Sequence, residues 1–308
     1  MPAEGVHLTA LREASFVGGL TPPARRCLLR FEAAARLGAI GPDLPYFDRY
    51  GEELIRYVAR RPARSSPWGA RVHGGGAIDL VGVVLDAARR ERSELLAALA
   101  MGLASHACID RSIHPLVNAL ARRFPEGASH DASHREVEKF QSILFHERYF
   151  GRDHMGTPGI VRLVQVPARE LLATSVGPAL TLAFARAAGD AEPARPLRRM
   201  ARGYEMHARV LGSPLGKRVA PPREKERARP RFLEGPWGTF EGVLGAAIEH
   251  SVGVLDAVWG AFEAPERDAD AARAHLDAAL PPGSIEGQGR DIDLDRAFVT
   301  RPPSEIAA

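Results

Sequence analysis

Residues 106–138 read HACIDRSIHPLVNALARRFPEGASHDASHREVE, with His106, Asp110 and His114 four apart and His134 and Glu138 separated by the same step. Four residues is about one helical turn, so each set forms a row along one helix face. Leu99, Leu103, Ala107 and Ile113 around the first row are apolar, which marks a packed helix where unpaired ionisable groups would each cost several kcal/mol. A row of three facing a row of two is a natural way to hold two or more zinc ions, since zinc takes imidazole nitrogen and carboxylate oxygen at about 2 Å. That combination points to a metal hydrolase.

Outward from this stretch, apolar residues recur at intervals of three and four, and strict alternation is nearly absent. The pattern is all-α. Thr21 and Pro22 open a helix running to Gly38, residues 77–90 form another, and Ser93 starts a long one that Pro115 should kink or interrupt. Ser133 with Glu136 reads as a capping box, which places His134 in the first turn of a helix ending near Phe150. Residues 167–188, 195–211 and 236–262 read as three further helices, the last apolar around most of its circumference. The expected organisation is one all-α domain over 1–290, with an exposed basic loop at 212–231 and a peripheral tail at 291–308.

A net charge of +3 and a 45% hydrophobic composition over 308 residues are those of an ordinary globular chain. Only three of its 41 basic residues are lysines, which suggests coding bias rather than function. The charge is uneven: residues 209–231 carry eight basic and two acidic side chains, a local +6 that could meet phosphates or an anionic surface. No stretch approaches the roughly 18 apolar residues that span a bilayer, and the opening MPAEGVHLTALREASF lacks a signal-peptide pattern. Cys27 and Cys108 both fall in apolar helical patterns and make no disulfide framework. A reduced, cytoplasmic protein is expected.

Further ligands of the right type lie upstream. Asp43 sits in a Gly-Pro-Asp turn, His73 in a glycine-rich loop where backbone can approach an ion, and His7 near the start. His130-Asp131 is an HD dipeptide of the kind helical phosphohydrolases use, but in a polar loop it reads better as a turn or cap. His146 and His154 read as surface residues, and His207, His250 and His275 lack a partner at metal spacing. Tyr46, Phe47 and Trp68 flank Asp43 and His73, where they either pack or line a pocket for a choline head group or a base.

The order Asp43, His73, His106, Asp110, His114, His134, Glu138, preceded by His7, resembles the bacterial zinc-dependent phospholipase C family and the related single-strand-specific zinc nucleases. The resemblance implies an all-α fold around a zinc cluster. Carried over, Asp43, His73, His106 and Asp110 would hold one zinc, and His114, His134 and Glu138 a second. Asp110 would bridge towards a third, shared with His7 and, in the family, with an N-terminal tryptophan that Met1-Pro2 replaces here. The implied cofactor is thus two or three zinc ions.

Paired zinc ions would acidify a water and offset phosphoryl charge, with Asp43 as the candidate general base. The expected substrate is a phosphodiester such as a phospholipid head group. A single-strand nuclease, which needs a basic groove, and a metal-binding protein without turnover are the alternatives.

Overall fold

The computed structural model describes residues 4–59, 61, 66–125, 129–189, 194–233 and 240–286, and every regular element among them is helical. In chain order these are α1 (Glu4–Phe16), α2 (Pro22–Arg30), α3 (Glu32–Ala39), α4 (Tyr50–Val58), α5 (Pro67–Arg71), α6 (Ala77–Glu91), α7 (Glu94–Arg123) and α8 (His130–Phe150). There follow α9 (Pro158–Val164), α10 (Ala168–Leu171), α11 (Val176–Ala188), α12 (Ala194–Leu211), α13 (Pro222–Phe232), α14 (Phe240–Glu263) and α15 (Ala269–Ala279). The region expected to be a tail, 291–308, lies outside the described residues.

Helix α7 is the axis of the molecule. Its thirty residues are apolar on nearly every side from Leu96 to Ile109, so it must be surrounded, and α3, α6, α8 and α14 pack against it. Ser93 accepts a hydrogen bond from the Leu96 amide at its N-terminus. Pro115 lies inside α7 without ending it, so of the kink or interruption expected from the sequence the interruption does not occur. Ile113, Leu116 and Val117 are buried on either side, and this packing offsets the roughly 3 kcal/mol an interior proline costs.

Two glycines set the closest helix contact. A Cβ at Gly102 would lie 1.9 Å from the Ala35 carbonyl oxygen, and one at Gly38 would lie 2.2 Å from that of Leu99. Backbones of α3 and α7 therefore touch with no room for a methyl group. Gly102→Ala is expected to destabilise by about 1–3 kcal/mol or more, read as a fall in the denaturant midpoint at unchanged slope.

Other boundaries depart from the sequence reading for local reasons. The helix expected from Thr21 to Gly38 breaks at Phe31, whose φ of −115° and ψ of 37° are non-helical and whose carbonyl starts α3. The 167–188 helix breaks after Leu171, where the Thr174 hydroxyl bonds the Leu171 carbonyl and accepts from the Val176 amide, a competition typical of threonine. Helix α8 begins at His130, because Ser129 rather than Ser133 accepts the capping bond, from Ala132. His134 is consequently in the second turn. The stretch 212–231 is not an open loop: Pro222 starts α13, which buries Lys225, Ala228 and Phe232 on one face and carries Pro230 inside. Lys225 is neutralised there by Glu147 and by Asp153 at 2.9 Å. Among the described residues no single helix is long and apolar enough to cross a membrane.

Candidate metal centre

The i to i+4 spacing places His106, Asp110 and His114 on one face of α7, and His134 and Glu138 on the facing side of α8. Asp43 comes from a 3₁₀ turn over Gly41–Phe47 that follows α3. His73 lies in a π-helical turn, Val72–Gly76, rather than an open loop. Gly75 within it takes φ 154°, open to glycine at little cost. His7 projects from α1, one turn after the buried Glu4, and its ring stacks on His106 at 3.9 Å.

These eight side chains form three groups, of which the first two share His106: His7, His106 and Asp110; Asp43, His73 and His106; and His114, His134 and Glu138. Each histidine turns Nε2 inward. His106 Nε2 is 3.0 Å from Asp110 Oδ2, and His7 Nε2 is 3.1 Å from Asp110 Oδ1. His73 Nε2 is 3.2 Å from Asp43 Oδ1 and 3.6 Å from Asp110 Oδ2. On the other side Glu138 Oε1 lies 3.2 Å from His114 Nε2 and 3.3 Å from His134 Nε2. Two atoms bound to one tetrahedral zinc at about 2.0–2.1 Å sit about 3.3 Å apart, so the observed separations have the right size.

The opposite ring nitrogens fix the tautomers. Nδ1–H of His73 donates to the Gly69 carbonyl (3.0 Å), that of His106 to Ala39 (2.8 Å), and that of His114 to Ile285 (3.1 Å). His134 Nδ1–H donates to Asn118 Oδ1 at 2.9 Å. In four neutral imidazoles so held, the Nε2 lone pairs all point at carboxylate oxygens, an arrangement that only a cation between them stabilises. His106 Nε2 is buried and makes no hydrogen bond despite its neighbours. The donor set and this orphaned nitrogen fit zinc.

Protons can serve as the cation instead. Burial disfavours charge on His106 and His114, yet Asp110 with Asp43 lifts His106, and Asp110 with Glu138 lifts His114, each to about 9. Burial also opposes ionisation of Asp43, Asp110 and Glu138, but the surrounding histidines hold all three below their ordinary values.

Most of the centre is buried and part of it is open. Side chains of His106, His73, His7, Asp110 and His114 are 0–6% exposed, whereas Asp43, His134 and Glu138 are 16–20% exposed. Tyr46 lies at this mouth, its ring 5.4 Å from that of His73. Burial and the charges of Asp43, Glu138, Glu286 and Asp110 keep its hydroxyl protonated, raising it far above the usual tyrosine value. Phe47 and Trp68 belong to the packing, Phe47 against Tyr204 and Trp68 against Phe184.

Several supporting residues carry no local sequence signal. The segment 281–286 crosses the centre, its Ile285 amide donating to the His73 carbonyl and the Ser284 hydroxyl to the same oxygen. Arg111 holds this strap through the Pro281 and Gly283 carbonyls. Asn118 donates to the Glu286 carbonyl while accepting from His130 and His134, so it ties α7, α8 and the strap together. Asn118→Leu is expected to weaken zinc at the His114, His134 and Glu138 group by about 10–100-fold, measured by competition with a zinc indicator.

Of the remaining histidines His146, His154 and His207 are buried, whereas His130, His250 and His275 are exposed. His146 donates through Nδ1–H to Ser142 and accepts at Nε2 from Thr9, and burial lowers it to about 4. His154 is buried 5.6 Å away. His207 does have a partner: Glu4, at 2.5 Å, with Tyr50 on its other nitrogen. His130 and Asp131 simply open α8.

No curated protein and no solved structure matches the chain. The family model for zinc-dependent phospholipase C matches residues 6–173, more than half of its 308 residues and the whole span from His7 to Glu138. The chain belongs to the zinc-dependent phospholipase C family.

Proposed function

We propose that the protein hydrolyses a phosphodiester of the phospholipid head-group type at this centre. The observation that carries the reading is the convergence of inward-turned Nε2 atoms on Asp110 and Glu138, with the rings of His73, His106, His114 and His134 fixed from behind, beside a partly open mouth. In this reading Asp43, His73, His106 and Asp110 hold one zinc and His114, His134 and Glu138 another. Asp110, with Oδ2 towards His106 and Oδ1 towards His7 and His114, is suited to bridge.

The chemistry that zinc supplies when bound is Lewis acidity, which acidifies water and offsets phosphodiester charge. The protein's own groups do the rest. Asp43, at the mouth, directs Oδ1 at His73, which leaves its second oxygen to accept the proton of the attacking water. Tyr46 offers a hydroxyl donor and an aromatic face to the substrate. The packed helices behind His106 exclude bulk water, which strengthens each of these interactions.

The nuclease alternative has less support. In the basic segment Lys225 and Arg229 are paired with Glu147, and α13 turns part of its length into the core.

The test compares zinc-loaded and chelated protein on a phosphatidylcholine analogue, single-stranded DNA and a generic phosphodiester. Zinc-dependent turnover of the first is expected, and Asp43→Asn should reduce it by about 10²–10⁴-fold while retaining the bulk of the zinc. An Asp43→Asn protein with full zinc and full turnover removes Asp43 as the base. Full zinc in the parent with no turnover of any substrate favours a binding role.

A further inference from the structure

Helix α4 (YGEELIRYV) buries none of its nine residues. It nonetheless presents Ile55, Tyr57 and Val58 at 70, 55 and 69% exposure, three of the most exposed large apolar side chains among the described residues. An isolated exposed apolar side chain needs no explanation, but three within four positions do. The patch extends beyond α4. The Tyr57 hydroxyl reaches the Arg218 carbonyl at 3.4 Å, and Leu215, three residues earlier, is a further exposed apolar side chain at 44%.

Basic groups outnumber acidic ones around this patch: Lys217, Arg218, Arg223 and, three residues beyond α4, Arg61 are exposed, against the exposed Glu224, while Glu52 and Glu53 of α4 face Arg49 and Arg56. Part of the uneven charge of 209–231 is thereby placed: Lys225 and Arg229 pair with Glu147, and Lys217, Arg218 and Arg223 border an apolar surface.

We infer that α4 with the Leu215–Arg223 segment is a docking surface for a lipid bilayer carrying anionic head groups. Ile55, Tyr57 and Val58 enter the interface, and Lys217, Arg218 and Arg223 meet the anionic lipid. Apolar burial joined to electrostatic attraction is what holds peripheral proteins at a membrane. The inference rests on the proposed phospholipid substrate in that a bilayer is the surface where such a substrate resides.

The experiment uses the full-length, zinc-loaded protein. Cosedimentation is measured with vesicles of phosphatidylcholine mixed with phosphatidylglycerol, and turnover is measured separately on a soluble short-chain phosphatidylcholine. Ile55→Ser with Val58→Ser is expected to lower vesicle binding roughly tenfold or more, and Lys217→Glu with Arg218→Glu to lower it by a similar factor while flattening its salt dependence. Both variants keep soluble-substrate turnover, since all four positions are exposed and outside the centre. Failure of the parent protein to bind vesicles, unchanged binding by both variants, or retention on single-stranded DNA in place of vesicles overturns the inference. Because binding is read without turnover, vesicle binding that follows the variants in a protein with no turnover keeps the docking surface and removes the phospholipase reading; soluble turnover without vesicle binding does the reverse.

Discussion

An Asp110→Asn protein is expected to lose zinc affinity and turnover together, by more than the roughly 100-fold that an outer-shell partner contributes. Among the described residues Asp110 is the one carboxylate within 4 Å of histidines from both halves of the centre. Oδ2 lies 3.0 Å from His106 and Oδ1 lies 3.1 Å from His7 and 3.6 Å from His114. Asparagine has nearly the same shape but replaces one oxygen by an amide whose hydrogens repel a cation and cannot bridge two. Metal content per chain, measured beside the thermal midpoint, distinguishes this from misfolding: a folded variant with its full zinc and turnover contradicts the assignment of Asp110.

The second large effect is the pH dependence of stability, in which the gain from zinc should grow as pH rises. In the metal-free protein His106 and His114, at about 9, stand above the unfolded value of about 6.5. A raised basic group stabilises fully below its unfolded value, and that contribution is lost as pH rises from about 6.5 through about 9. Asp43, Asp110 and Glu138 are shifted the other way, so their contribution holds above about pH 4 and is lost as acid protonates them. Chelated protein should therefore be most stable near about pH 5–6 and weaken towards pH 9. Zinc displaces the same protons, so its affinity rises over that interval. At free zinc about a thousandfold above its dissociation constant the gain is about 4 kcal/mol, a rise of roughly 10 °C for a chain of this size. The gap between zinc-loaded and chelated melting curves should widen from pH 6 to pH 9; parallel curves contradict this account of the histidines.

The part of this arrangement that was legible in the sequence was the part written locally. His106, Asp110 and His114, like His134 and Glu138, are one turn apart, and helical geometry alone puts them on shared faces. Asp43, His73 and His7 carry no such spacing: residue type and turn or loop context made them possible ligands, and only the resemblance joined them into a set. The second layer was illegible because it is made of backbone. Nothing about Ile285 marks its carbonyl as the acceptor for His114, 171 residues away, and Glu4 and His207 are paired across 203 positions.

Helix boundaries failed for a related reason. Pro115, Ser133 and the proline-rich run at 212–231 each carry a local breaking or capping signal. Buried neighbours override the first, Ser129 pre-empts the second, and the anchoring of Lys225, Ala228 and Phe232 orders the third. Local propensity is a weak prior wherever packing can outweigh a few kcal/mol.

The most direct test of the central claim is the zinc content of the folded, full-length chain at neutral pH, measured by elemental analysis after exhaustive dialysis and again after chelation and reloading. Two or more zinc ions per chain are expected, lost on chelation along with turnover of the phosphatidylcholine analogue, and both restored by zinc. A folded chain that retains no transition metal and takes up none on reloading would contradict the account.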